Sequence, residues 1–230
     1  MPINLSKVET EAPALVSLAK QAAVALEQRG LGDASAAVYL VLDHSRSMQP
    51  HYRSGAVQRL AEQALALCAH LDDDGVVPVV FFGSEAAPAV DVRLSEYEGV
   101  IEHLHVRQPW GTTNLPAAMR AVVAHYRASG SADPALVITQ TDGNPNSRRD
   151  AAHTMRDVSG LPLFWSFVGF GDRIEFLEKL DSLRGRRVDN ASLVHAADPH
   201  AMGDAELYDG LLHEYPAWLE AARAAGVLPA

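Results

Sequence analysis

The feature that most constrains the fold is a run of five apolar residues, Val38-Tyr39-Leu40-Val41-Leu42, that stops abruptly at Asp43. Such a run, without polar alternation, reads as a strand buried on both faces. It therefore needs cover on both sides. The same punctuation returns later, where Ala135-Leu136-Val137-Ile138-Thr139-Gln140-Thr141 runs into Asp142-Gly143. Residues 76–82 and 161–168 are two further apolar strands, although Pro78 weakens the first half of 76–82 as a central ladder position. Between these strands lie helical patterns. The clearest spans 53–71, with Val57, Leu60, Ala61, Ala64, Leu67, Cys68 and Leu71 at three- and four-residue steps. Others cover 97–104, 115–126, 147–158 and 174–183, and short strands are read at 89–94 and 192–195. Strands alternating with helices predict an α/β fold, doubly wound, with a mostly parallel central sheet and helices on both faces.

Both ends add helical material to this unit. Residues 12–26 carry a helical stripe, with Pro13 in the first turn, where its missing N–H costs nothing, and Gly30 and Gly32 beyond the end. Residues 1–32 are read as a lead-in segment packed on the domain, and 33–230 as one domain ending in a helical extension over 205–225. The apolar residues of that extension, Leu207, Leu211, Leu212, Trp218 and Leu219, are best accounted for by covering their own domain. The run Asp72-Asp73-Asp74 lacks the alternating ligands of an EF-hand and reads as a solvated turn.

Composition narrows the function classes. A net charge of −10 with no large Lys/Arg cluster argues against nucleic acid or an anionic membrane as the main partner. The small group Arg184, Arg186 and Arg187 is too isolated to change this. The single cysteine, Cys68, lies within a helical pattern, can form no internal disulfide and fits a buried apolar role. The amino terminus lacks a basic region followed by an apolar core, and no window approaches a membrane span, so the expected location is the cytoplasm.

Chemistry concentrates where strands end. Asp43, Ser45 and Ser47 follow the first strand, Thr113 sits on a loop before a helix that Asn114 could cap, and Asp142 follows a later strand. In a parallel sheet the carboxyl ends share one edge, where ligands bind, so residues about a hundred apart in sequence can converge there. Hard oxygen donors of this kind suit Mg²⁺ or Ca²⁺. The plain alternative is that Asp and Ser serve only as turn and cap residues.

Asp43-His44-Ser45-Arg46-Ser47, Gly111-Thr112-Thr113-Asn114 and Thr141-Asp142-Gly143 together resemble the von Willebrand factor A (VWA) family. Its metal-ion-dependent adhesion site has the form Asp-x-Ser-x-Ser, a distant Thr and a later Asp-Gly. The likeness covers about residues 36–200. Asn4-Leu5-Ser6-Lys7 and the helix containing Ala14-Leu15-Val16-Ser17-Leu18-Ala19-Lys20 look like the lead-in of the bacterial tellurium-resistance VWA proteins, which belong to stress-response gene clusters. The resemblance implies metal ligands Asp43, Ser45, Ser47, Thr113 and Asp142. The hydroxyls would bind directly or through water, and the carboxylates commonly through water. The expected cation is Mg²⁺, with Ca²⁺ or Mn²⁺ as alternatives, and a partner protein would complete its coordination with an acidic residue. Two departures stand out. Arg46 replaces a common Gly between the serines and is expected to point to solvent. Thr112 occupies a position where Gly is frequent, which leaves the hydroxyl ligand open between Thr112 and Thr113.

The implied function is a non-enzymatic binding module. The alternative is a metal-dependent hydrolase or phosphoryl-transfer enzyme with Asp43 as nucleophile. Against it, the chain has no P-loop, no Gly-x-Ser-x-Gly elbow and no second carboxylate two residues after Asp43. A third reading is a vestigial metal site with binding through the helical ends. His44 is expected to be a packing or surface residue rather than a ligand. Trp110 is read equally as rim or core, and Arg148 and Arg149 as a steering pair or a solvated helix start.

Overall fold

In a computed structural model describing residues 5–72 and 74–229, one six-stranded sheet organises the chain. The strands are β1 (Ala37–Asp43), β2 (Val76–Phe82), β3 (Val90–Arg93), β4 (Ala135–Thr141), β5 (Leu163–Phe170) and β6 (Ala191–Ala196). Their spatial order is β3-β2-β1-β4-β5-β6. All neighbours are parallel except β2 and β3, which pair antiparallel at one edge. The doubly wound α/β expectation is met. The order reverses between β1 and β4, so the topological switch point lies at their carboxyl ends.

Alternation along β1 shows why its sequence is unbroken. Val38, Leu40 and Leu42 point into a large core cluster on one face, and Tyr39 and Val41 into a second cluster on the other. The large cluster contains buried residues of α1 (Leu5–Glu11), α2 (Val16–Gln28), α4 (Ala56–Leu71), α5 (Val100–His105), α9 (Asp204–Leu212) and α10 (Tyr215–Ala224). The second contains those of α6 (Leu115–Ser129), α7 (Arg148–Val158) and α8 (Glu175–Asp181). The short α3 (Gln49–Arg53) follows the β1 loop. Cys68 is buried, as its helical position implied.

Element boundaries differ from the periodicity reading for local reasons. The lead-in is two helices, because Ala12 leaves helical geometry and Pro13 opens a separate 3-10 turn, Pro13–Leu15. Val8, Ala12, Leu15, Ala19, Ala22 and Leu26 of this segment are all buried in the large core. The helix read from residue 53 starts at Ala56, since Gly55 has φ +81° and separates it from α3. The helix read at 97–104 starts only at Val100, after Gly99 at φ +62°. The strand read at 161–168 runs Leu163–Phe170, and the carboxyl-terminal helical region splits where α10 begins at Tyr215, with Pro216 in its first turn. Pro78 faces Asp91 of the edge strand, and the register of β2 with β1 starts one residue later at Val79. Residues 1–4, and Asp73 within the acidic turn, lie outside the described residues; Asp74 beside it is exposed. No described helix is long and apolar enough to cross a membrane.

Candidate metal centre

Strand β1 delivers Asp43 to the switch point, and its carboxylate is fully buried there. One oxygen, Oδ1, accepts the Ser45 backbone N–H at 2.7 Å; the other, Oδ2, accepts the Thr141 hydroxyl at 2.5 Å. Burial is the main reason its pKa rises from 3.8 to about 6. The hydrogen bonds from Thr141 and Ser45 oppose that rise, while the negative charge of Asp142 adds to it. Among the described residues neither Asp43 nor Asp142 has an ion-pair partner.

The two serines lead from Asp43 toward Asp142. Ser45 Oγ and Ser47 Oγ lie 3.1 Å apart, and Ser47 Oγ donates to Asp142 Oδ1 at 2.8 Å. Ser45 is buried and Ser47 is exposed, so the string runs from the sheet outward. Arg46 between them is exposed and makes no ion pair, in line with the solvent-facing expectation.

The threonine loop is pressed against this string by backbone contacts. Gly111 forms an isolated parallel bridge with Ser45, donates its N–H to the His44 carbonyl at 3.0 Å and accepts the Arg46 N–H at 3.1 Å. Only glycine fits: a Cβ on Gly111 would lie 2.3 Å from the Ser84 nitrogen. Asn146, on the loop after Asp142, ties the threonine loop down. Its side chain accepts the Thr113 N–H at 3.0 Å and donates to Thr112 Oγ1 at 2.8 Å, while its own N–H donates to the Thr113 carbonyl at 2.8 Å. Thr112 Oγ1 also lies 3.2 Å from Ser84 Oγ. The Thr112 hydroxyl is thus engaged, whereas that of the buried Thr113 has no partner among the described residues. Asn114 caps α6, accepting the Ala117 N–H at 3.3 Å.

The fold therefore links the three motif segments: hydrogen bonds join Asp43, Ser45, Ser47 and Asp142, and backbone contacts bring the threonine loop beside them. Sequence reading missed three supporting residues. Thr141 looked like the last residue of a strand, although its place before Asp142-Gly143 was a usable signal. Asn146 carried no signal beyond being a turn-prone residue. Tyr52, whose hydroxyl donates to the Asp43 carbonyl at 3.0 Å, lies in the short α3, just before the helix read at 53–71.

His44 is a packing residue. It is buried and stacked on Trp110, with ring centroids 3.7 Å apart and planes at 10°. Tyr52 and Phe81 meet its ring edge-on, and its Nε2 lies 3.4 Å from His105 Nδ1. Burial lowers its pKa. Trp110 is half-buried, so it is neither wholly rim nor wholly core.

The family described as vWA-TerF-like, the von Willebrand A domain found at the TerF C terminus, matches residues 35–228. The chain belongs to this family. The uncharacterized protein YcbR of Bacillus subtilis (strain 168) is 32% identical over 215 residues, covering 91% of this chain and 88% of that protein. Among solved structures, a von Willebrand factor type A protein from Catenulispora acidiphila aligns with TM-score 0.55 at 16% identity, covering 84% of this chain and 43% of the other. The manganese-loaded TRAP protein of Plasmodium vivax aligns with TM-score 0.54 at 21% identity, covering 76% of this chain and 74% of that one. The mussel byssus protein PTMP1, solved with a zinc-occupied MIDAS motif, aligns with TM-score 0.50 at 15% identity, covering 84% and 48%. These structural likenesses establish the fold. VWA domains are in general binding modules, and this chain shares that architecture.

Proposed function

We propose that this VWA domain is a divalent-cation-dependent protein-binding module of a bacterial tellurium-resistance or stress-response complex. The observation that carries the reading is charge without compensation: Asp43 is buried beside Asp142, and neither has a cationic partner among the described residues. Two buried or half-buried carboxylates in that state favour a positive charge between them. The surrounding donors suit a hard divalent ion. Asp43, Ser45, Ser47, Thr113 and Asp142 offer only oxygen, and among the described residues no group of three or more His, Cys, Asp or Glu side chains is placed to hold a metal instead. The unpartnered Thr113 hydroxyl supports Thr113 over Thr112 as the ligand on its loop.

Mg²⁺ is the proposed cation, with Mn²⁺ or Ca²⁺ as alternatives; once held, it would leave one position for a partner's Asp or Glu. The chain's own residues do the holding. Asp43 and Asp142 supply neutralising charge, Ser45 and Ser47 span the gap between them, and Gly111 and Asn146 fix the loop that carries Thr113. The manganese and zinc in two proteins of the same fold lend support. The hydrolase alternative fits less well, because both Asp43 oxygens accept hydrogen bonds and neither is presented as a nucleophile.

Calorimetric titration of Mg²⁺, Mn²⁺ and Ca²⁺ into wild type and Asp43→Ala tests the reading, with circular dichroism as the fold control. Wild type should bind at least one of these ions, and the folded variant none. A wild-type protein that binds none of them would overturn the proposal.

A further inference from the structure

The loop that carries the threonines has a second side. Through Gly111 it adjoins a cavity of about 410 Å³ between the turn after β2 and the segment leading to Gly111. Its walls include Phe81, Ala86, Pro88 and Trp110, and His44 contributes the ring stacked beneath Trp110. The cavity and the candidate metal centre share a wall. His44 lies between Asp43 and Ser45 in the chain, and Gly111, another lining residue, is bridged to Ser45. A hollow of this size falls at the lower end of small-ligand pockets, which run from about 300 Å³ upward. It suits one large side chain.

Charge sets the direction of whatever binds across both features. On the metal side, Arg46 stands between Ser45 and Ser47, exposed and without an ion-pair partner among the described residues. On the cavity side, the rim carries Glu85, also exposed and without an ion-pair partner among the described residues. A carboxylate is attracted to the first end and repelled from the second. A hollow of about 370 Å³ that shares Trp110 mixes Tyr52 and Ile101 with Arg53, Glu102 and His105, so an apolar group there would meet charged side chains.

We propose that the cavity beside Trp110 receives an apolar side chain from the acidic partner segment, so that the module reads a two-point motif: one Asp or Glu at the cation and one aromatic or large aliphatic residue within a few positions of it. This rests on the cation-dependent reading above and adds its specificity. The fluorescence of Trp110 offers a direct readout, because the other two tryptophans, Trp165 and Trp218, are buried in the core.

The test uses short capped Gly/Ser peptides with one Asp and one Phe, the Phe placed at each position from three before to three after the Asp. Control peptides carry Ser for Phe or Asn for Asp. Binding to the full chain is measured by Trp110 fluorescence and by calorimetry in Mn²⁺, then in EDTA. At least one Asp/Phe spacing should bind tenfold or more tightly than its Ser and Asn controls, with that advantage lost in EDTA. Ala86→Phe, or the milder Ala87→Leu should the first fail to fold, should abolish the Phe advantage while leaving Mn²⁺ affinity unchanged. If Mn²⁺ binds but Asp/Phe and Asp/Ser peptides are bound equally, or no peptide binds, the two-point motif is wrong and the metal site stands. A Phe advantage that persists in a folded, cavity-filled variant likewise overturns it. Should Mn²⁺ itself not bind, the underlying cation reading fails first, and calorimetry without peptide shows that separately.

Discussion

Buried Asp43 and half-buried Asp204 are carboxylates treated in opposite ways. Asp204, at the start of α9, meets Arg59 of α4 at 2.7 Å, accepts from Gln63 of the same helix at 2.7 Å and lies 3.4 Å from Gln21 of α2. Three helices are thereby knotted around one charge that has its own cation. Tyr208 extends the knot by donating to the Gln63 carbonyl at 3.1 Å. Asp43, more deeply buried, receives only neutral donors and lies beside another carboxylate. A fold that neutralises a half-buried acid internally and leaves a fully buried one uncompensated has separated a structural charge from one suited to an outside ion.

The largest effect expected concerns the helices around the Asp204 knot. Deleting residues 1–31 removes Gln21 and uncovers the core that Val8, Leu15, Leu26 and Leu31 bury. Each large side chain is worth about 1.5–3 kcal/mol, against a total stability of about 5–15 kcal/mol. The truncated chain should be unfolded or aggregated by circular dichroism and size exclusion. A folded, monomeric product would show that this side of the molecule is not structural.

The sharpest test substitutes the two acids in parallel. A carboxylate whose pKa is raised from 3.8 to about 6 takes up a proton more readily in the folded state, so at neutral pH its ionised form costs stability, here about 3 kcal/mol before relaxation. In EDTA, Asp43→Asn should therefore match or exceed wild type by about 1–3 kcal/mol in urea melts, yet lose Mg²⁺-induced stabilisation. Thr141 can adapt, since its hydroxyl also lies 3.3 Å from the Gly143 carbonyl. Asp204→Asn should do the reverse, costing about 1–2 kcal/mol with or without Mg²⁺ once partial exposure of the pair is allowed for. Equal losses from both variants would erase the contrast.

A smaller effect is expected at Asn146. Removing a residue that orients a metal-binding loop commonly costs about 10–100-fold in affinity. Asn146→Ala should weaken Mn²⁺ binding at the low end of that range and leave the urea midpoint nearly unchanged. An unaltered metal affinity would mean that the threonine loop holds its shape without the clamp. The smallest effect belongs to His70 on α4, whose Nε2–H donates to the Ala19 carbonyl of α2 at 2.8 Å. Burial lowers its pKa below 6.5, so the unfolded chain protonates first as pH falls. This contribution is complete above that value and declines as pH drops through it. His70→Gln, which can still donate to Ala19, should flatten that part of the pH dependence of stability.

Much of this was legible in the chain. The unbroken run at 38–42 required a strand covered on both faces, and the carboxylates at the ends of two such strands pointed to one edge of the sheet. The helix read at 115–126, which runs Leu115–Ser129, and its cap at Asn114 were readable from a Pro and an Asn in register. Boundaries were less legible where a single backbone torsion decides, as at Gly55 and Gly99. Periodicity reports which residues face a core; it does not report where a glycine breaks the path.

Local pattern and side-chain chemistry were enough to read the strand–helix alternation and the candidate oxygen donors from the chain. How those candidates are committed depends on long-range packing. That packing set the strand order that puts Asp43 beside Thr141, engaged the Thr112 hydroxyl with Asn146 and Ser84, and left that of Thr113 without a partner among the described residues. It also gave Asp204 an arginine from 145 residues away and gave Asp43 none. Whether a buried charge is balanced depends on which distant elements pack against it, and no short stretch of chain carries that information.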